Sequence, residues 1–163
     1  MIKPLCVAAC ALPLFLGCAA VPKELDVQGP RVATVHATGF QIYTWDSAWK
    51  LKAPDATFTG DIPGKHYAGP TGPIWECTRD GSKVIGHRMR DHASPANAIP
   101  WLLLDAKGHD GKGILADVTY IQRLNPTGGP APAAAGTKAG EEARVPYTAD
   151  FVFFGPGAAP TVK

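Results

Sequence analysis

The sequence predicts an all-β fold: an antiparallel sandwich or barrel of about seven or eight strands with little helix. Three observations predict it. Gly (18) and Pro (16) are spread through the 163 residues, which breaks long helices and supplies turns. Apolar residues recur with period two, and no window carries a sustained apolar stripe at helical spacing. Turn signals separate those windows, the strongest being Asp80-Gly81.

The elements follow in order. "GFQIYTW" (39–45) alternates Phe40, Ile42 and Thr44 with Gln41, Tyr43 and Trp45, so both faces carry large side chains. "WKLKAPDATFTG" (49–60) sets Trp49 and Leu51 against Lys50 and Lys52 until Pro54 interrupts the pattern. "GPIWECT" (72–78) and "SKVIGHR" (82–88) flank Asp80-Gly81 as a hairpin. Trp75, Cys77 and Val84 then share the core face, with Glu76 and His87 opposite. "IPWLLLDA" (99–106) is a nearly continuous apolar run, read as a strand buried on both faces. "GILADVTYIQRL" (113–124) pairs with it across the glycine-rich "KGHDGKG", and "PYTADFVFFG" (146–155) closes the set. A short helix or turn fits "DHASPANA" (91–98), and residues 125–145, rich in Pro, Gly and Ala, read as a mobile loop.

The first residues are set apart from this pattern. "MIKPLCVAACALPLFLGC" (1–18) has one cation, Lys3, then an apolar run, then small residues, as a secretory signal peptide does. Its end reads in two ways. "FLGC" (15–18) resembles a lipobox, with Cys18 lipidated and Ala19 after it pointing to the outer membrane; the other reading is cleavage after Ala20 and a freely secreted chain. Residues 19–31 read as a tether and entry into the fold, leaving 32–163 as a single domain. Of four cysteines only Cys77 lies in that domain, where it reads as a small buried hydrophobe.

Charge and motifs exclude several functions. A formal charge of +2 and no basic stripe leave no footprint for nucleic acid. No zinc spacing, phosphate loop, dinucleotide fingerprint or nucleophile elbow occurs, so no metal and no cofactor is implied. His87 and His92, five apart, point to opposite faces of a continuous strand and share no metal. Two constellations remain. A two-residue turn at Asp80-Gly81 brings Glu76 diagonally beside His87, and with His66 this makes a hydrolase-like cleft; a bulged turn separates them. Tyr43, Trp45, Trp49 and Tyr67 are rings beyond what a small core needs, and suit stacking on an envelope or extracellular polymer, or a small apolar ligand. The favoured reading is a binding module, with a hydrolase or a structural, stress-related envelope protein as alternatives.

Several phrases carry a resemblance: "GFQIYTW", "HYAGPT", "DGSKVIG", "AIPWLLLDAKG", "VTYIQRLNPTGG" and "RVPYTADFVFF". Together, over about residues 35–154, they resemble the secreted family catalogued as domain of unknown function 3455. The resemblance implies an extracytoplasmic compartment and no particular activity. It also implies a cysteine just after "QIY" and another before "RVPY"; here those positions hold Thr44 and, in "AAGTKAG", Thr137, so the long loop lacks that tether.

Overall fold

The computed structural model describes residues 20–162; the segment read as a signal peptide, with Cys18, lies outside the described residues. Eight strands close into one antiparallel barrel in chain order. They are β2 (Arg31–Trp45), β3 (Trp49–Gly60), β4 (Gly64–Gly69), β5 (Gly72–Cys77), β6 (Lys83–His92), β7 (Trp101–Asp110), β8 (Tyr120–Gly128) and β9 (Glu142–Phe154). β9 pairs back onto β2 from Arg31↔Phe154 to Thr44↔Glu142. Closure leaves the barrel without a free edge. Two short strands, β1 (Val27–Gln28) and β10 (Ala159–Pro160), pair outside it. A barrel, not a sandwich, is therefore the architecture.

Period two decides the faces. On β2, Ala33, Val35 and Ala37 point inward; Phe58 on β3, Trp75 and Cys77 on β5, Val84 on β6 and Phe151 and Phe153 on β9 meet them. The outward positions carry charge: His36 bonds Asp150 at 2.7 Å, Arg144 bonds Asp55 at 2.7 Å, and Lys83 bonds Asp110 at 2.8 Å. An apolar interior with a charged exterior is the reverse of a lipid-facing barrel.

β7 is buried on both faces, as its apolar run predicts. Leu104 faces the interior, while Trp101 and Leu103 face outward beneath Leu25 and Val27. The covering segment is the one expected as a tether. It enters a 3-10 turn at Lys23–Leu25 and then β1. Gln122 Nε2 donates to the Leu25 carbonyl at 2.6 Å and pins it there.

Three elements differ from expectation. Residues 64–69, to which the sequence pattern assigns no strand, form β4. The strand expected over 113–124 begins only at Tyr120, and residues 111–119 turn back instead. Leu115 and Val118 from this stretch enter the core and stop one end of the barrel. Asp80 and Ser82 fix that stopper: Ile114 N–H donates to Asp80 Oδ2 at 3.0 Å and Leu115 N–H to Ser82 Oγ at 3.1 Å. The Ser82 hydroxyl, the Ile114 N–H and the Ser82 N–H hold the Asp80 carboxyl well below the usual carboxylate range. Within 91–98 the turn alternative holds, with Ala98 N–H donating to the Pro95 carbonyl at 2.9 Å, and no helix forms because β6 runs on to His92. β8 and β9 also extend into the long loop from both sides, leaving 129–141 as the connection.

Candidate functional site

The opposite end of the barrel is open. There a cavity of about 570 Å³ runs inward from the β2–β3, β4–β5 and β6–β7 ends. This is the size class of small-molecule sites, and eight strands give a barrel mouth wide enough for one small ligand. Its floor is His66, Trp75, Leu104 and Phe151; its wall includes Gln41, Tyr43, Ile99 and Arg123; its rim includes Leu51, Lys52, Thr71, His87 and Arg88.

Local irregularities shape the mouth. β3 carries one extra residue at Lys52, because Ile42 pairs Ala53 while Tyr43 pairs Leu51. The bulge turns Leu51 to the lumen side, where it remains exposed. Gly86 makes room for Trp75: a Cβ there would lie 2.8 Å from the indole.

His66 is fully enclosed. Its ring stacks on Trp75 with centroids 4.2 Å apart and meets Phe151 edge-on at 5.2 Å. Nδ1 lies 3.0 Å from the Ile74 carbonyl, which only accepts, so Nδ1 carries the proton and Nε2 is left as an acceptor. Burial pushes the imidazole down to about 3 against the modest upward effect of that bond, and the Arg123 charge lowers it further. The ring is neutral at pH 7.

Arg123 is the one strong cation of the wall. Nε and Nη2 donate to the Pro100 carbonyl at 3.0 and 2.8 Å, and burial lowers the guanidinium to about 10, leaving it charged. Gln41, 2 % exposed, has no side-chain hydrogen bond among the described residues. Tyr43 is inside as well, its hydroxyl donating to the Gly129 carbonyl at 2.6 Å, and burial raises its phenol.

The residues singled out from sequence are dispersed by this geometry. His66 and His87 both line the cavity, one at its floor and one at its rim. Glu76 does not join them. It lies on the outer face, opposite Lys83, and accepts from the Tyr67 hydroxyl at 2.7 Å. His87 instead meets Asp105 at 3.1 Å across β6 and β7. The cause is the turn: Cys77 N–H donates to Ser82 O and Gly81 N–H to Cys77 O, a longer loop than two residues. The pairing therefore runs Glu76↔Lys83 and Ile74↔Ile85, a shift of two from the tight-turn register, which keeps every side chain on its face.

The four rings do not form one surface. Tyr43 faces the lumen and Tyr67 the exterior. Trp45 and Trp49 pack edge to face at 5.3 Å, beneath the long loop. Trp49 Nε1 donates to the Ala134 carbonyl at 2.8 Å, and a Cβ on Gly136 would lie 2.4 Å from the Trp45 ring. Among the described residues no three of His, Cys, Asp and Glu are grouped to hold a metal ion. Cys77 is a buried free thiol in the core.

The family described as protein of unknown function, DUF3455, matches residues 47–155. This chain belongs to that family. No curated protein and no solved structure matches it. For this DUF3455 chain the sequence reading missed Gln41 and Arg123 as site residues. Strand parity carries the signal for both. Arg123 lies two residues from Ile121 on β8, and Gln41 continues the inward series of Val35 and Ala37 on β2.

Proposed function

We propose that this DUF3455 protein is an extracytoplasmic binding protein, held at a membrane by a lipid on Cys18, that takes a small molecule with a large apolar part into its barrel mouth. The observation that carries the reading is the cavity: one end of the barrel is stopped by Leu115 and Val118, and the other opens into about 570 Å³ lined by Trp75, Leu102, Leu104 and Phe151. A binding pocket combines such an apolar wall with a few polar groups that fix orientation, and here Gln41, His66 and Arg123 supply them. The compartment rests on the Lys3 n-region, the apolar run and the "FLGC" ending. A small ligand is favoured over an envelope or extracellular polymer because the four candidate rings do not line one open groove. Chemistry by His66, Glu76 and His87 is disfavoured because the carboxylate sits on the outer face.

Binding of the neutral dye N-phenylnaphthylamine tests the pocket. Saturable uptake at one site is expected, with quenching of Trp75, and loss on Leu51→Glu or Ala68→Trp. Both positions are exposed at the cavity, so the fold tolerates them. Uptake that ignores both substitutions, or no uptake, overturns the reading and favours a structural envelope role. The anchor is tested separately: the mature N-terminus should carry acyl mass on Cys18, and Cys18→Ser should release the protein from membranes.

A further inference from the structure

The interior of the barrel holds a charge with no counter-ion among the described residues. Among the described residues no carboxylate lines the cavity and none forms an ion pair with Arg123. The other basic side chains at the cavity have acidic neighbours. Lys52 pairs with Glu142, Arg88 with Asp91 at 2.5 Å, and His87 faces Asp105. Arg123 is the exception, and it is the deepest of them.

An uncompensated guanidinium away from bulk water is costly unless something satisfies it. The Pro100 carbonyl takes the Nε–H and one Nη2–H. A guanidinium has five N–H donors, so three remain: one Nη1–H points to the Cδ side, and the other Nη1–H and the remaining Nη2–H share the Nη1/Nη2 edge. That edge is the fork that receives a carboxylate through two parallel bonds. The Pro100 bonds hold its other side fixed, so the fork is oriented before any ligand arrives. Gln41, almost wholly buried and without a side-chain hydrogen bond among the described residues, lines the same cavity and adds an amide donor.

Resting on the pocket reading above, we infer that the ligand is a monocarboxylic acid with an apolar body, its carboxylate seated on the free Nη1/Nη2 edge of Arg123 and its body against Trp75, Leu102, Leu104 and Phe151. One free fork matches one carboxylate. The apolar remainder of the cavity excludes a highly charged ligand such as a nucleotide.

Dodecanoate and dodecanol, competed against N-phenylnaphthylamine on the mature protein, test this. Wild type should bind dodecanoate about tenfold to a hundredfold more tightly than dodecanol, the range expected for hydrogen bonds to a charged group. Arg123→Gln should erase that preference, weakening dodecanoate far more than dodecanol. Arg123→Lys should retain only part of it, because an ammonium lacks the fork. Equal affinity of wild type for acid and alcohol overturns the carboxylate while leaving the pocket standing. Failure of the neutral dye to bind wild type overturns the pocket itself. Should Arg123→Gln not fold, the wild-type comparison of acid with alcohol still decides.

Discussion

His66 and Trp75 are stacked in the barrel floor, their planes 13° from parallel and their centroids 4.2 Å apart. The stack has an electrostatic consequence. A ring enclosed by Trp75 and Phe151 resists a second proton, and the Nδ1–H bond to the Ile74 carbonyl offsets that only in part.

The folded state therefore holds His66 near pKa 3 against 6.5 for the free side chain. Above pH 6.5 neither state is protonated, and His66 contributes no pH dependence. As pH falls from about 6.5 towards 3, the unfolded chain gains a proton that the folded chain refuses, so stability declines. The slope from this group approaches about 1.4 kcal/mol per pH unit. Urea unfolding between pH 7 and 4 should show this decline, and His66→Gln should remove most of it. A ring nitrogen pattern by NMR that titrates near pH 6.5 contradicts the enclosed neutral ring.

Gly86 supports the same stack from the other side. A Cβ at this position would lie 2.8 Å from Trp75 and 3.2 Å from Leu104. The indole has no room to retreat, since Phe151 and Phe153 already meet it at 5.2 and 6.4 Å. Gly86→Ala should cost about 1–3 kcal/mol, the usual penalty of overpacking, with a shift in Trp75 emission. Unchanged denaturant midpoint and emission would mean the floor is looser than this packing.

Much of the fold is legible because period two survives errors of register. The Asp80-Gly81 signal puts a hairpin in the right place. Its loop is longer than the two residues the dipeptide favours, yet a shift of two leaves Trp75, Cys77 and Val84 on the core face. The same shift separates Glu76 from His87, so a pairwise site read from turn geometry fails where the faces hold. β4 was illegible for a different reason: it is six residues long, begins and ends in glycine, and has little apolar alternation. Residues 113–119 are apolar enough for a strand, but Leu115 and Val118 are used to stop the barrel. The polar wall residues Gln41 and Arg123 sit at inward positions where an apolar residue is expected. A buried polar residue is the informative kind.

The segment ahead of β2 should be integral to the barrel. Leu25 is fully buried against the outer side of Trp101, Leu103, Leu124, Val152 and Phe154, and its carbonyl takes the Gln122 amide. Leu25→Ala should lose about 2–5 kcal/mol, the range for deleting a core leucine. Chemical denaturation of the variant checks it. A loss under about 0.5 kcal/mol would mark residues 20–28 as a tether after all.

Tyr147 gives the opposite sign. Its ring is buried in the core, but its hydroxyl has no hydrogen-bond partner among the described residues, and burial raises the phenol to about 12, only partly offset by Arg123. An unpaired buried hydroxyl costs about 1–3 kcal/mol of desolvation, and phenylalanine keeps the ring while removing that group. Tyr147→Phe should therefore leave stability unchanged or raise it by up to about 1 kcal/mol, whereas Tyr43→Phe, which deletes the bond to Gly129, should lower it by about 1 kcal/mol. Thermal unfolding of the two variants side by side measures the difference. A clear loss on Tyr147→Phe would show that the hydroxyl is satisfied in solution, and the wall around Arg123 would then be wetter than its packing suggests.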